Sequence, residues 1–246
     1  MAEIELILRQ AEEKLEAFKG MDPEISSKIV RPITQKFTAI IKELRKIQLA
    51  FPVVLLIVAI FISVIFSNII TSIEINNKAY ARNILAPVND TIFVAGMAVT
   101  NFLIVIFQVA VLLAVAQARF GVDVISKLQD LAPIIVVLVF TFVFVGMIIS
   151  YLVRNPQTSI LLSTFVALAF FLFSDALNAL EAMPALASSI ASHNPIVIVG
   201  SMLRKILFFD IQLQQLSSDF IVLACYAAIA FLLLVLFSKI KNKQRL

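Results

Sequence analysis

What most constrains this chain is a set of charge-free apolar runs, each about as long as a bilayer is thick. No Asp, Glu, Lys or Arg occurs in Ile47 to Ile73, Thr91 to Ala118, Leu131 to Val153, Asn155 to Ser174 or Phe220 to Ser238. A hydrocarbon core about 30 Å thick needs about 20 apolar residues at 1.5 Å of rise each. A charge at mid-membrane costs about 2.5 to 3.5 kcal/mol, so the charged residues mark where each run must end. None of the runs alternates with period two, which excludes barrel strands. The fold class expected is therefore an all-α integral membrane protein with five transmembrane helices. A composition of 61% hydrophobic and 15% charged residues lies outside the range of soluble domains and agrees with this.

Helix punctuation falls near the same boundaries: Pro52 opens the first run, Asp90 is placed to cap the second, Pro133 sits in the first turn of the third, and Asn155-Pro156 starts the fourth. A sixth charge-free run, Ala182 to Leu203, is broken by Pro184 and by His193-Asn194-Pro195 and holds four serines. Each proline removes a backbone donor, so one continuous helix is excluded. Two short helices, about Pro184 to Ser192 and Pro195 to Phe209, fit a re-entrant or interfacial hairpin whose freed backbone groups must be buried in protein or face water.

Residues 1–50 differ in kind, with nine Lys/Arg and eight Asp/Glu. Ile4, Leu8, Ala11, Leu15 and Phe18 form a heptad-like stripe, Gly20-Met21-Asp22-Pro23 interrupts it, and Ile33, Phe37, Ile40, Leu44 and Ile47 continue a second one. This reads as an N-terminal amphipathic helical arm, a solvated stalk or a partner-binding coiled coil. The expected organisation is the arm over 1–50, a transmembrane domain over 51–240 and a basic tail over 241–246.

Counting positive charges does not orient the chain: with the C-terminus inside, seven Lys/Arg lie in cytoplasmic segments and eight lie outside near the spans. The tail "SKIKNKQRL" favours a cytoplasmic C-terminus, while the charged arm argues the reverse. An arm on the outer side with no apolar signal segment before it leads to the expectation that a first span is missing upstream.

Catalytic and cofactor motifs are lacking. Five scattered glycines form no phosphate-binding loop and no GxxxG packing motif. A single His and a single Cys exclude a His-based metal cluster and an internal disulfide, so no metal site, catalytic residue or bound cofactor is expected. No acidic pair lies within a run, against a proton relay or an intramembrane protease. The net charge of +4 gives no case for nucleic acid. The polar residues within runs are mild. Ser67, Asn68, Asn101 and Gln108 read either as cross-helix hydrogen-bonding links or as the lining of a translocation path, with Asn101 and Gln108 seven apart on one helical face.

One stretch carries a further pattern: "IEINNKAYARNILAPVNDTIFVAGMAVTNFLIVIFQVAVLLAVAQARFGV" resembles the type-2 ABC transporter permeases. In those a span ends in Glu, a short basic cytoplasmic helix and a "laPvs"-like turn follow, and a long span with a mid-span Gln leads to "fgv". Glu74, Arg82, Asn83, Leu85-Ala86-Pro87-Val88, Gln108 and Phe120-Gly121-Val122 occupy those places. The likeness continues through "FVFVGMIISYLVRNPQTS" and "MPALASSIASHNPIVIVGSMLR", where Met183-Pro184, Asn194-Pro195 and Arg204 match an outer helical hairpin. Where the family often has Ser-Gly and a Pro, this chain has Ser174-Asp175 and Ala179.

The resemblance implies a permease subunit of an ABC exporter in the plasma membrane, with its C-terminus cytoplasmic, working by alternating access. Its partners would be a separate ATPase subunit, which uses ATP and Mg, a second permease copy or homologue, and the lipid bilayer. Glu74, Lys78, Tyr80, Arg82, Asn83, Pro87 and Arg154 would form the ATPase-coupling surface, and Met183, Pro184, Asn194, Pro195 and Arg204 the outer gate hairpin. Six spans are the family's number, so the five here would be its second to sixth. A secondary transporter with broken helices, or a membrane scaffold or insertion factor, are the competing classes, and the substrate is not legible.

Overall fold

A computed structural model of the chain describes residues 46–77, 90–120, 122–153, 155–174, 189 and 191–243. Among them there are six α-helices and no strand: α1 Lys46–Asn76, α2 Asp90–Val115, α3 Leu128–Leu152, α4 Pro156–Leu172, α5 Pro195–Phe209 and α6 Ser217–Lys243. A π turn, Ala116–Phe120, follows α2, and a 3₁₀ turn, Leu213–Leu216, precedes α6.

Four of these helices are long and apolar enough to cross a membrane: α1 from Phe51, α2, α3 and α6. The fourth run, expected as a span over Asn155 to Ser174, yields a helix of only 17 residues, about 25 Å long against a core of about 30 Å. The reason is local. The run is free of charge as far as Ser174, but the helix stops at Leu172: Phe173 leaves the helical conformation at ψ 28°, and Ser174 N bonds only three residues back, to the Phe171 carbonyl. Absence of charge permits a helix but does not prolong one.

Two other boundaries move. Pro52 and Pro133 lie inside α1 and α3, with helix preceding each. Both lie within two turns of the helix start but beyond the first four residues, whose N–H groups have no intrahelical partner, so each removes one backbone hydrogen bond. The Asn-Pro starts appear as expected: Asn155 Oδ1 accepts from Gln157 N at 2.9 Å and Asn194 Oδ1 from Ile196 N at 3.0 Å, with Pro at the first helical position in each.

The core centres on α3, which carries the largest buried share of the four long helices and packs on α1, α2, α4, α5 and α6. Phe142, Ile134, Leu138 and Met147 of α3 are almost wholly enclosed, with Ile60 of α1 and Met202 of α5. In contrast, α2 and α6 expose rows of large apolar side chains, among them Leu103, Phe107, Leu232 and Leu236. In water such faces would be a liability; in a bilayer they meet lipid tails or other apolar helices.

Candidate functional site

Near the end of α1 that leads to Glu74, four helices meet at a buried polar junction. Asn68 of α1 is fully enclosed, and its Nδ2 donates to Ser150 Oγ of α3 at 2.9 Å, Ser159 Oγ of α4 at 2.8 Å and the Gly146 carbonyl at 3.2 Å. Ser150 Oγ in turn donates to the Asn68 carbonyl at 2.8 Å. From α6, Lys241 Nζ donates to the Ser150 carbonyl at 2.8 Å and lies 5.9 Å from the Tyr151 ring centre. A cation on the last-turn carbonyls of α3 complements the negative end of that helix. One turn along, Asn101 Nδ2 of α2 donates to Thr71 Oγ1 of α1 at 3.0 Å.

The junction is tight because of one residue. A Cβ on Gly146 would stand 2.1 Å from Ser67 Oγ and 2.3 Å from the Val64 carbonyl oxygen. Only a residue without Cβ lets α1 and α3 approach this closely. Ser67 Oγ donates to the Ser63 carbonyl at 2.5 Å, bonding along its own helix.

At the opposite end the charged residues tie the elements together. Lys127 Nζ, at the start of α3, donates to the Ile206 and Leu207 carbonyls of α5 at 3.1 and 2.7 Å and pairs with Asp210 at 2.6 Å. Asp130 Oδ1 accepts from Leu213 N at 3.0 Å, and Lys205 meets Asp219 of α6 at 3.3 Å. Asp210 itself ends α5 in a left-handed conformation, φ 52°, which Asp tolerates better than most residues. Gln117 Oε1 accepts from Val124 N at 2.8 Å and Ile125 N at 3.3 Å, fastening the turn between α2 and α3.

The start of α5 lies deeper. Asn194 Nδ2 donates to the Phe170 and Phe173 carbonyls at the end of α4, at 2.7 and 2.8 Å. Next to it, Tyr226 donates its hydroxyl to the His193 carbonyl at 2.7 Å. Tyr226 lies nine residues into α6, about 13 Å below that helix's start at 1.5 Å per residue. So α5 rises from within the bundle to the Lys127 end without crossing it, and Asn194 bonds both helix ends where α4 stops and α5 begins. Beside this break, a cleft of 470 Å³ opens between α3, α4 and α6.

Of the residues expected to couple to an ATPase, Glu74 lies in the last turn of α1 and not in a loop, its carbonyl accepting from Asn77 N at 3.1 Å. Lys78, Tyr80, Arg82, Asn83, Pro87 and Arg154 lie outside the described residues, as do Met183 and Pro184 of the outer hairpin and most of the helix expected over Pro184 to Ser192, whereas Asn194, Pro195 and Arg204 belong to α5 and its cap. The four expected path residues lie on α1 and α2. Ser67 and Asn68 face α3 and α4, and Asn101 pairs with α1. Gln108 is half-buried and, among the described residues, its Oε1 is enclosed without a partner, as are Oδ1 of Asn68 and Asn101.

Over residues 5–236 the sequence matches the family described as ABC-2 family transporter protein. The chain belongs to the ABC-2 transporter family. No curated protein and no solved structure matches it. The match runs through the charged arm as well as the bundle, so the ABC-2 assignment takes in more of the chain than 51–240, the part whose motifs suggested it. For an ABC-2 membrane subunit the junction joins the ends of four helices, and α5 ties the opposite end to α3 and α6 through Lys127, Asp210 and Lys205. Sequence reasoning missed Lys127, Lys241, Thr71 and Ser159 as partners. The spacing of Ser159, Ser163 and Ala167, four residues apart and all fully buried, was the one available signal that this face of α4 packs closely.

Proposed function

We propose that this ABC-2 permease domain is the membrane subunit of an ATP-driven exporter, working by alternating access as half of a dimer with a separate ATPase subunit. The observation that carries the reading is the junction of Asn68, Ser150, Ser159 and Lys241, which ties α1, α3, α4 and α6 together beside Glu74. A displacement applied at that end is transmitted to four helices at once, as a coupled motor requires. In this reading that end faces the cytoplasm in the plasma membrane, with the C-terminus inside. Lys78, Tyr80, Arg82, Asn83 and Pro87 dock on the ATPase after Glu74, with Arg154 as a second contact. Met183, Pro184, Asn194, Pro195 and Arg204 close the outer end, and Ser67, Asn68, Asn101 and Gln108 flank the path that two copies complete. ATP and Mg belong to the ATPase, and the chain itself performs no catalysis.

The test is charge reversal at Lys78 and Arg82, whose spacing of four would set them on one face if this segment is helical, as the sequence suggests. Lys78→Glu with Arg82→Glu leaves membrane insertion intact, since both residues lie outside the apolar runs. It weakens co-purification of the ATPase by about 2 to 5 kcal/mol, the usual cost of leaving a partner charge unpaired at an interface. Unchanged ATPase binding and unchanged stimulated hydrolysis would refute the coupling role.

A further inference from the structure

The cleft beside the α4–α5 break is apolar along most of its wall, which includes Phe142, Val145, Val166, Phe170, Ile229 and Leu233. Its 470 Å³ falls within the range of small-molecule pockets, about 300 to 1,000 Å³. Phe173, Ile229 and Leu233 of its wall are also exposed on the outer faces of α4 and α6, so the cleft communicates with the side of the bundle that meets lipid.

Four polar residues line it: Thr141, His193, Asn194 and Tyr226. Their donors are already committed within the chain. Thr141 Oγ1 donates to the Val137 carbonyl at 2.8 Å, Tyr226 to the His193 carbonyl, and both hydrogens of Asn194 go to the end of α4. His193 Nδ1 lies 2.9 Å from the Ser189 carbonyl, which can only accept, and this contact selects the tautomer with the proton on Nδ1, in which Nε2 is an acceptor. Acceptors are what remain: His193 Nε2 and the lone pairs of Tyr226 Oη and Thr141 Oγ1.

Among the described residues the cleft is a wall of hydrocarbon with acceptors and no uncommitted donors, which selects a ligand that is itself apolar and brings a donor. We infer that this cleft binds a membrane-borne alcohol, a molecule with a hydrocarbon body and one hydroxyl group, entering sideways between α4 and α6. A carboxylate or a phosphate ester would meet no uncommitted donor among the described residues there. Between apolar walls the match of donor to acceptor decides which apolar molecule stays. The inference concerns a single chain and requires neither the ATPase nor transport.

The chain contains no Trp, so a single Phe173→Trp places a clean fluorescent reporter in the cleft wall. The full-length variant is reconstituted in phosphatidylcholine vesicles and titrated with dibrominated octadecanol, or with its methyl ether, which has the same body and no donor. The alcohol is expected to quench Trp saturably, at a membrane content about tenfold lower than the ether, the worth of one hydrogen bond. Phe165→Trp, on the exposed face of α4, is expected to report only unsaturated quenching that follows bulk content for both probes. With His193→Phe and Tyr226→Phe added, the alcohol should fall to the level of the ether, while the ether's own quenching shows that the cleft persists. Equal quenching by alcohol and ether, a response at position 173 that merely follows bulk content, or an advantage that survives loss of both acceptors would each overturn the assignment.

Discussion

Toward α1, the surface of α3 is polar and without spare volume: Gly146 meets the Val64 backbone, and Ser150 exchanges hydrogen bonds with Asn68. Toward α4 and α6, at positions that adjoin Gly146 in sequence, the same helix borders a 470 Å³ cleft walled by Phe142 and Val145. Two neighbouring faces of one helix thus solve different problems. Lipid tails are as apolar as Leu, so burying hydrocarbon does little to tell one helix pairing from another within a bilayer. Close backbone approach and directed hydrogen bonds do, and they fix the register of α1 against α3. The cleft side specifies little geometry and leaves room for change. The short α4 joins both regimes, held at Ser159 by the junction and bordered at Phe170 by the cleft.

The most severe way to break this contrast is a single methyl group. Gly146→Ala sets a Cβ within 2.3 Å of the Val64 carbonyl oxygen, which is backbone and cannot rotate aside. A loss of about 3 kcal/mol or more, at the upper end of overpacking costs, is expected. Thermal unfolding in detergent checks it, and a variant as stable as the parent would show that the two helices are not locked here.

Next in size is Asn68→Leu, which keeps the bulk and removes the amide that reaches α3 and α4. Interhelical hydrogen bonds in membranes are worth about 0.6 to 2 kcal/mol. A loss of about 2 kcal/mol is expected because Ser150 and Ser159 lose a common partner. Ser150→Ala in the same background should then cost less than it does alone, since the pair acts as a unit. Additive effects would mean that the junction is a set of independent contacts.

How much of this was legible beforehand follows the same division. Charge-free length located α1, α2, α3, α4 and α6, and the Asn-Pro pair with the run to Phe209 placed α5 correctly, because these signals act within a few residues. The end of α4 was misplaced, since the next charge comes after Ser174 while the backbone already turns at Phe173. Lys241 read as the start of a basic tail, yet it is buried on the Ser150 carbonyl, 91 positions away in sequence. The partners of Asn68 lie 78 to 91 residues off. A polar residue in an apolar run announces that it needs a partner, but which helix supplies it is decided only when the bundle closes.

The cleft side should absorb what the α1 side cannot. Ala169 lines the cleft, and Ala169→Leu adds three carbons where Gly146→Ala adds one. A change within about 1 kcal/mol of the parent is expected, because the added group enters open volume instead of backbone. A loss comparable to that of Gly146→Ala would mean that the cleft is closed by packing in the membrane.

The smallest effect lies outside both interfaces and sets the baseline for them. In the turn before α3, a side-chain hydrogen bond with Ser126 holds the Asp123 carboxyl below the usual carboxylate range, with help from the Ser126 backbone N–H and the Lys127 charge. A carboxyl whose folded pKa is depressed adds stability above its unfolded pKa and loses it as pH falls through the folded value. Acidification of the parent should therefore remove a small increment of thermal stability, present at neutral pH, which Asp123→Asn lacks at every pH. Because Asp123 is fully exposed, solvent screening keeps this increment below the effects at Gly146 and Asn68. An acid transition of the same depth in the parent and in Asp123→Asn would assign the pH dependence to another carboxylate. A deep transition abolished by Asp123→Asn would place the turn, and not the α1 side of α3, among the contacts that hold the bundle together.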